Sequence, residues 1–151
     1  MKIEDSENVA RAIFSPKMIY EGRLLPAAFT LRPQIQEDYL SVARMSIDSW
    51  MEDIMRIPQH KNRTLYGYAE MNVGDIRDID LPLVSYDVMD CGSPQTPSHA
   101  GIFISVSGNP VTGGQHLDAL PVGMSEDYLL LAIRNELVAL AQEGLQEVVV
   151  E

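Results

Sequence analysis

Four side chains in the first two thirds of the chain are of types that bind anions or move protons. Arg11 and Arg44 are arginines inside apolar, strand-like segments, and a guanidinium binds phosphate or carboxylate groups through paired hydrogen bonds. Ser41 and His99 carry a hydroxyl and an imidazole, which orient a ligand hydroxyl or transfer a proton. If the fold brings these four side chains together, they form a candidate pocket.

His99 also has a purely structural interpretation. It stands where the turn-rich segment 90–98 passes into the apolar run 100–106, and there an imidazole can cap a strand by bonding a backbone carbonyl. The arginines are the stronger hint, because a charge among apolar strand residues is unusual unless it is paired or lies at a sheet edge. Both interpretations stay open from the sequence alone.

Other kinds of chemistry find little support in the sequence. It contains no phosphate-binding loop, no G-x-G-x-x-G, no H-E-x-x-H and no C-x-x-C. The single cysteine, Cys91, has aspartate neighbours that would raise the pKa of its thiol. A catalytic zinc held by His60, His99 and His116 is a minor alternative. We therefore predict no metal site and no cofactor.

Alternating apolar and polar residues predict the strands that would position these side chains. The segment 74–82 is charged and is expected to form a turn or a connector. Residues 1–8 are polar and predict a flexible N-terminus, and residues 9–151 predict a single domain. The five predicted strands are 9–15, 38–45, 64–73, 83–89 and 100–106.

Two segments have the spacing of amphipathic helices. An apolar stripe over 46–57 predicts a helix that begins at Ser46. A longer stripe predicts a helix over 125–144, with Ser125 as its N-cap and Gly144 as its stop. Together the elements predict an α+β fold, in which two main helices pack on a mostly antiparallel sheet of about five strands.

Composition and charge narrow the possible partners. The chain has 151 residues and a formal net charge of −11, which disfavours binding to nucleic acid or to an anionic membrane surface. A single cysteine allows no internal disulfide, and the N-terminus has no apolar stretch of signal-peptide length. These features predict a cytoplasmic protein, whose partner would be another protein or a second copy of itself.

The order of short motifs resembles a set of small bacterial proteins with no settled activity. The shared features are an early arginine, a "PAAF" turn, an "LSVAR" strand and a "PSHA" segment before a later strand. The similar region extends from Arg11 to Ser105. This resemblance directs attention to Phe29 and to the four side chains named above.

A fainter resemblance is to ADP-ribosyltransferase-like folds. In those folds an early strand carries an arginine or histidine, and a later strand carries a serine, around a nicotinamide nucleotide. The late catalytic glutamate of those folds has no clear counterpart here, because Glu136 and Glu147 lie in or after the last predicted helix. This resemblance implies nucleotide binding at the candidate pocket.

Two functional hypotheses follow. The first is a binding or interaction module without enzymatic activity, which would need an exposed apolar patch or groove. The alternative is a small enzyme or nucleotide-binding domain, whose pocket is built from Arg11, Ser41, Arg44 and His99. It would need those side chains to converge on a concave site.

Overall fold

The computed structural model describes residues 2–59, 62–117 and 119–148 of the chain. Within these residues the chain forms nine strands and three α-helices. The strands are β1 (Asn8–Ser15), β2 (Ile19–Tyr20), β3 (Arg23–Leu24), β4 (Leu40–Arg44), β5 (Thr64–Asn72), β6 (Val84–Asp90), β7 (His99–Val106), β8 (Asn109–Pro110) and β9 (Leu145–Glu147). The helices are α1 (Trp50–Met55), α2 (Val73–Arg77) and α3 (Glu126–Glu143), and short 3-10 helices cover Pro26–Phe29 and Pro33–Ile35.

The main sheet is antiparallel, in the order β6-β7-β4-β1-β5-β9, and β8 pairs with the C-terminal end of β7. The strands β2 and β3 form a separate hairpin. The α+β fold and the five predicted strands are confirmed. Burial alternates strictly along β5, whereas β1 and β7, which lie between neighbouring strands, are buried over most of both faces. The short strands β8 and β9 are additions to that prediction.

The last predicted helix is confirmed almost to the residue. It begins after Ser125, whose hydroxyl accepts a hydrogen bond from the Tyr128 amide, and it ends at Gly144. The charged segment 74–82, expected to be a turn or a connector, instead begins inside α2, because Asn72 caps that helix by accepting a hydrogen bond from the Asp75 amide. None of the helices in the described part of the chain is long and apolar enough to cross a membrane.

The first predicted helix is shorter than expected. It covers residues 50–55 rather than 46–57. The Ser46 hydroxyl, expected to cap the helix, donates to Glu7 at 2.7 Å instead. Because that side chain is held from outside, the chain turns through residues 46–49 before helical geometry begins.

The two faces of the sheet are covered unequally. One face packs against α3, whose buried residues join the larger hydrophobic core. The N-terminal segment, expected to be loosely held, places Ile3 in this core. The other face carries a smaller cluster in which Ala10, Ala12 and Ala43 stand beside Phe14 and are covered by Ile54 of α1. Alanine side chains and a six-residue helix fill little volume, so this side of the sheet leaves room for a cavity.

Candidate functional site

A cavity of about 1030 Å³ opens beside β1 and β4. The ladder between these strands consists of two pairs, Val9 with Arg44 and Ala10 with Ala43. Beyond Ala10 the two strands diverge, and residues of both strands line the resulting space. The segment 27–37, α1 with the loop after it, and the loop before β7 supply the remaining walls.

Arg11 extends its guanidinium into the gap between the diverging strands. Its Nη1 donates to the Ser41 carbonyl at 2.8 Å, and its Nε and Nη2 donate to the Ala28 carbonyl at 3.1 and 2.9 Å. The guanidinium carbon also lies 5.9 Å from the centre of the Phe29 ring. Arg11 thus supplies hydrogen bonds to backbone carbonyls, and all of these partners are electrically neutral.

The cavity concentrates positive charge in an acidic protein. The pKa of Arg11 is lowered to about 10, chiefly because burial removes the guanidinium from water; the charges of Arg32 and Arg63 also lower it, and the charge of Glu37 opposes them. The Glu37 carboxylate is itself paired with Arg32 at 2.9 Å. Arg11 therefore stays cationic at neutral pH. The described residues that line the cavity include four cationic side chains (Arg11, Lys17, Arg32 and Arg63) and two carboxylates (Glu37 and Asp53).

Ser41 and His99 meet on the same wall of this cavity. They lie on the neighbouring strands β4 and β7, where Ala43 pairs with His99 and Ser41 pairs with Gly101. The Ser41 hydroxyl oxygen lies 3.3 Å from His99 Nε2, within hydrogen-bonding distance. Both residues are half-buried. Of the two interpretations left open for His99, the side-chain contact with Ser41 inside the cavity favours the pocket residue over the strand cap.

Arg44, the fourth candidate, lies elsewhere. It shares a sheet face with Leu40 and Val42, opposite to the face of Ser41, because the two residues are an odd number of positions apart in a strand. Its Nη2 bonds both carboxylate oxygens of Glu7, at 2.9 and 3.1 Å, and its Nη1 lies 3.7 Å from Asp90. Placing Arg44 in the pocket was therefore wrong, and its charge is balanced within the fold.

The cavity also contains polar residues that the sequence patterns did not single out. The carboxylate of Asp53, a buried residue of α1, accepts from the Ser98 hydroxyl at 2.5 Å and from the Ser98 amide at 3.2 Å. Burial alone would raise the pKa of Asp53, but these bonds and that from Ser49 lower it. The partner of Asp53 lies 45 residues further along the chain, so no local sequence pattern indicates this contact.

Arg63 lies over the ring of Phe14, with its guanidinium carbon 4.2 Å from the ring centre. Its Nη2 donates to the Pro58 carbonyl at 2.9 Å. In the described part of the chain, the buried side-chain polar atoms left without a hydrogen-bond partner are Asp53 Oδ1 and Arg63 Nε. Both belong to residues that line the cavity.

The remaining candidates stand apart from this site. Cys91 is half-buried outside the cavity lining, and burial together with Asp90 raises the pKa of its thiol. Of the three histidines considered for zinc, His60 lies outside the described residues. His116 is exposed and pairs with Glu126 at 2.9 Å. Among residues 2–59, 62–117 and 119–148, no three histidine, cysteine or carboxylate side chains are grouped as a metal site requires.

Comparisons with protein-family models, with curated proteins and with solved structures give no match for this chain. The function must therefore be inferred from the cavity itself.

Proposed function

We propose that this protein binds a small organic anion with an apolar body in the cavity beside β1 and β4. The observation that carries the proposal is the environment of Arg11. A guanidinium has five N–H groups, and three hydrogen bonds to the carbonyls of Ala28 and Ser41 account for part of them. Among the described residues, none of the ion pairs involves Arg11. An anionic ligand would supply the missing counter-charge.

The charges around Arg11 favour an anion over a cation. Lys17, Arg32 and Arg63 line the same cavity, while the carboxylates of Glu37 and Asp53 already accept hydrogen bonds from Arg32 and Ser98. The positive charge of the cavity is thus less fully compensated than its negative charge. The cavity is therefore positive although the whole protein has a net charge of −11, and such a local field favours an anionic ligand at the site.

The apolar part of the ligand would lie against the alanine-lined side of the cavity. Ala10, Ala12 and Ala43 provide a flat wall, and Phe14 and Ile54 close it. Ligand sites of this kind are mostly apolar, with a few polar groups that fix orientation. Nucleotides and aromatic or aliphatic carboxylates belong to this class of ligand. The cavity favours the pocket hypothesis of the sequence analysis, with Arg44 removed from the pocket.

A matched pair of fluorescent probes tests this proposal directly. The probes are 8-anilinonaphthalene-1-sulfonate, an apolar anion, and N-phenyl-1-naphthylamine, which has the same rings without the charge. We expect the anion to bind at one site, at least about tenfold more tightly than the neutral probe, since a hydrogen bond to a charged group contributes about 1.5–3 kcal/mol. Equal affinities for the two probes would contradict the proposed role of the cations.

Variants test whether the probes bind in the cavity or on another apolar surface of the protein. Ala43→Leu should abolish binding of both probes by filling the wall, and Arg11→Met should remove the preference for the anion. Arg11→Lys keeps the charge and serves as the second variant if loss of the hydrogen bonds to Ala28 and Ser41 impairs folding. Arg23→Met is the matched control, because Arg23 is exposed on β3 and lies outside the cavity lining. Unchanged probe binding in Ala43→Leu would place the bound probe elsewhere and refute the proposal.

A further inference from the structure

We infer that Ser41 is a nucleophile, with His99 as its general base, and that the pair hydrolyses small esters held in the cavity. The starting observation is the distance of 3.3 Å between Ser41 Oγ and His99 Nε2. A serine within hydrogen-bonding distance of an imidazole is the arrangement that activates a hydroxyl for attack on an acyl carbon. With its proton on Nδ1, the imidazole accepts the Ser41 hydroxyl proton at Nε2.

The His99 ring is held in place by an aromatic neighbour. The Tyr39 ring lies 5.7 Å from the His99 ring and 5.0 Å from the Phe103 ring. Gly101, opposite Ser41 in the sheet, leaves the space that Tyr39 occupies, because a Cβ at Gly101 would stand 2.5 Å from Tyr39 Cδ2. Tyr39 is thus a positioning residue that fixes the imidazole by packing.

Positive charge stands beside the proposed nucleophile. Arg11 donates to the backbone carbonyl of Ser41 itself, at 2.8 Å. Among the described residues its hydrogen bonds use only three of the five guanidinium N–H groups. A fixed cation near the reacting carbonyl stabilises the negative charge that develops on oxygen during acyl transfer. The alanine-lined wall beside Ser41 suits a short apolar acyl chain.

The reaction needs no reagent other than water. The Ser41 oxygen forms a bond to the carbonyl carbon of the ester while its proton passes to His99 Nε2. The ester C–O bond then breaks, and the departing alcohol takes that proton from His99. Water then forms a bond to the acyl carbon and gives a proton to His99. The bond between that carbon and Ser41 Oγ breaks, the carboxylic acid leaves, and the proton returns from His99 to Ser41 Oγ.

A fluorophosphonate probe tests the inference independently of anion binding, because it reports the reactivity of a serine rather than affinity for charge. The folded protein is treated with the probe, and intact mass and peptide mapping locate the adduct. We expect one phosphonyl group on Ser41 and none in Ser41→Ala. His99→Gln should react at least about a hundredfold more slowly, which is the low end of a general-base contribution. Hydrolysis of p-nitrophenyl butyrate should fall in the same two variants.

The controls distinguish reactivity from folding. The control is Ser105→Ala. Ser105 is also half-buried, but it lies on β7 outside the cavity lining, so this variant should react with the probe like the parent protein. Each variant is checked for its thermal transition and for binding of 8-anilinonaphthalene-1-sulfonate, so that loss of serine reactivity is distinguished from loss of the folded cavity. An adduct on a different serine, or labelling of Ser41 at an equal rate in His99→Gln, would overturn the inference. So would unreactive protein that still binds the probe anion, and in that case the proposed binding function stands.

Discussion

Arg11 and Arg44 occupy adjacent strands, but their positive charges are balanced in different ways. Arg44 is compensated inside the fold by Glu7, whose carboxylate also accepts from Ser46. Burial alone would raise the pKa of Glu7, but the hydrogen bonds from Ser46, the Glu4 backbone and Arg44 lower it. Arg11 has carbonyl partners instead. This difference is why we assign Arg44 to stability and Arg11 to ligand binding.

The ion pair of Arg44 should therefore be essential to folding and irrelevant to the cavity. We expect Arg44→Met to lower the free energy of unfolding by about 3–5 kcal/mol, since removing one partner leaves a mostly buried carboxylate uncompensated. Probe binding by the folded fraction should be unchanged. Denaturant unfolding measures the first effect, and fluorescence titration measures the second.

Glu52→Gln is the comparison for this experiment. The Glu52 side chain is 72% exposed and stands 3.9 Å from the exposed Arg56, so loss of this exposed ion pair should change stability by no more than about 0.5 kcal/mol. Equal destabilisation by the two substitutions would show that the Arg44 pair has no special role.

At the scale of elements, the helix α1 depends on contacts distant in sequence. It has six residues, too few to be stable by backbone hydrogen bonding alone. Asp53 joins it to the loop before β7 through the two hydrogen bonds from Ser98, and Ile54 packs on the alanine-lined sheet face. The same helix forms part of the cavity wall, so its attachment couples stability to the binding site.

Asp53→Asn tests this attachment with a nearly isosteric change. Because the charged acceptor is lost, the free energy of unfolding should fall by about 1.5–3 kcal/mol at neutral pH. Hydrogen exchange should accelerate in α1 and in the loop before β7, while α3 stays protected. Asp48→Asn, which neutralises an exposed carboxylate in the turn before α1, is the control and should leave both measurements unchanged. Unaltered exchange in α1 of Asp53→Asn would disprove the coupling.

At the scale of the whole molecule, local patterns were enough for the sheet but not for the cavity. The strands and α3 are encoded by alternation, by the stripe of apolar residues and by the Ser125 cap, all of which act within a few residues. Because side chains alternate along a strand, the sequence of β4 already predicts that Arg44 and Ser41 lie on opposite faces of the sheet. The divergence of β1 from β4, the shortening of α1 by the contact from Glu7 to Ser46, and the bond from Ser98 to Asp53 each depend on residues 30 or more positions apart. Sequence periodicity carries no information at that range.

The balance of charge over the whole chain predicts an asymmetric response to acid. Near neutral pH the net charge of −11 means that the carboxylates repel one another. Mild acidification neutralises some of them, so it should preserve or slightly increase the temperature of unfolding. The pKa values of Glu7 and Asp53 are lower in the folded state than their ordinary values. The stabilisation that these two carboxylates give the folded state is therefore complete at pH values above their pKa in the unfolded chain. It is lost as pH falls through their pKa in the folded state, from about pH 5 downward.

Thermal unfolding followed across this range by circular dichroism should show a plateau between neutral pH and about pH 5, then a steep fall at lower pH. The variant Asp53→Asn should have a shallower fall, because the buried carboxylate that must be protonated is absent. Added salt should flatten the part of the curve due to repulsion between exposed charges, and it should leave the steep part largely in place, since buried pairs are screened less. A steep fall of equal slope in Asp53→Asn would mean that acid unfolding is governed by exposed carboxylates rather than by the groups that attach α1 and β4 to the rest of the fold.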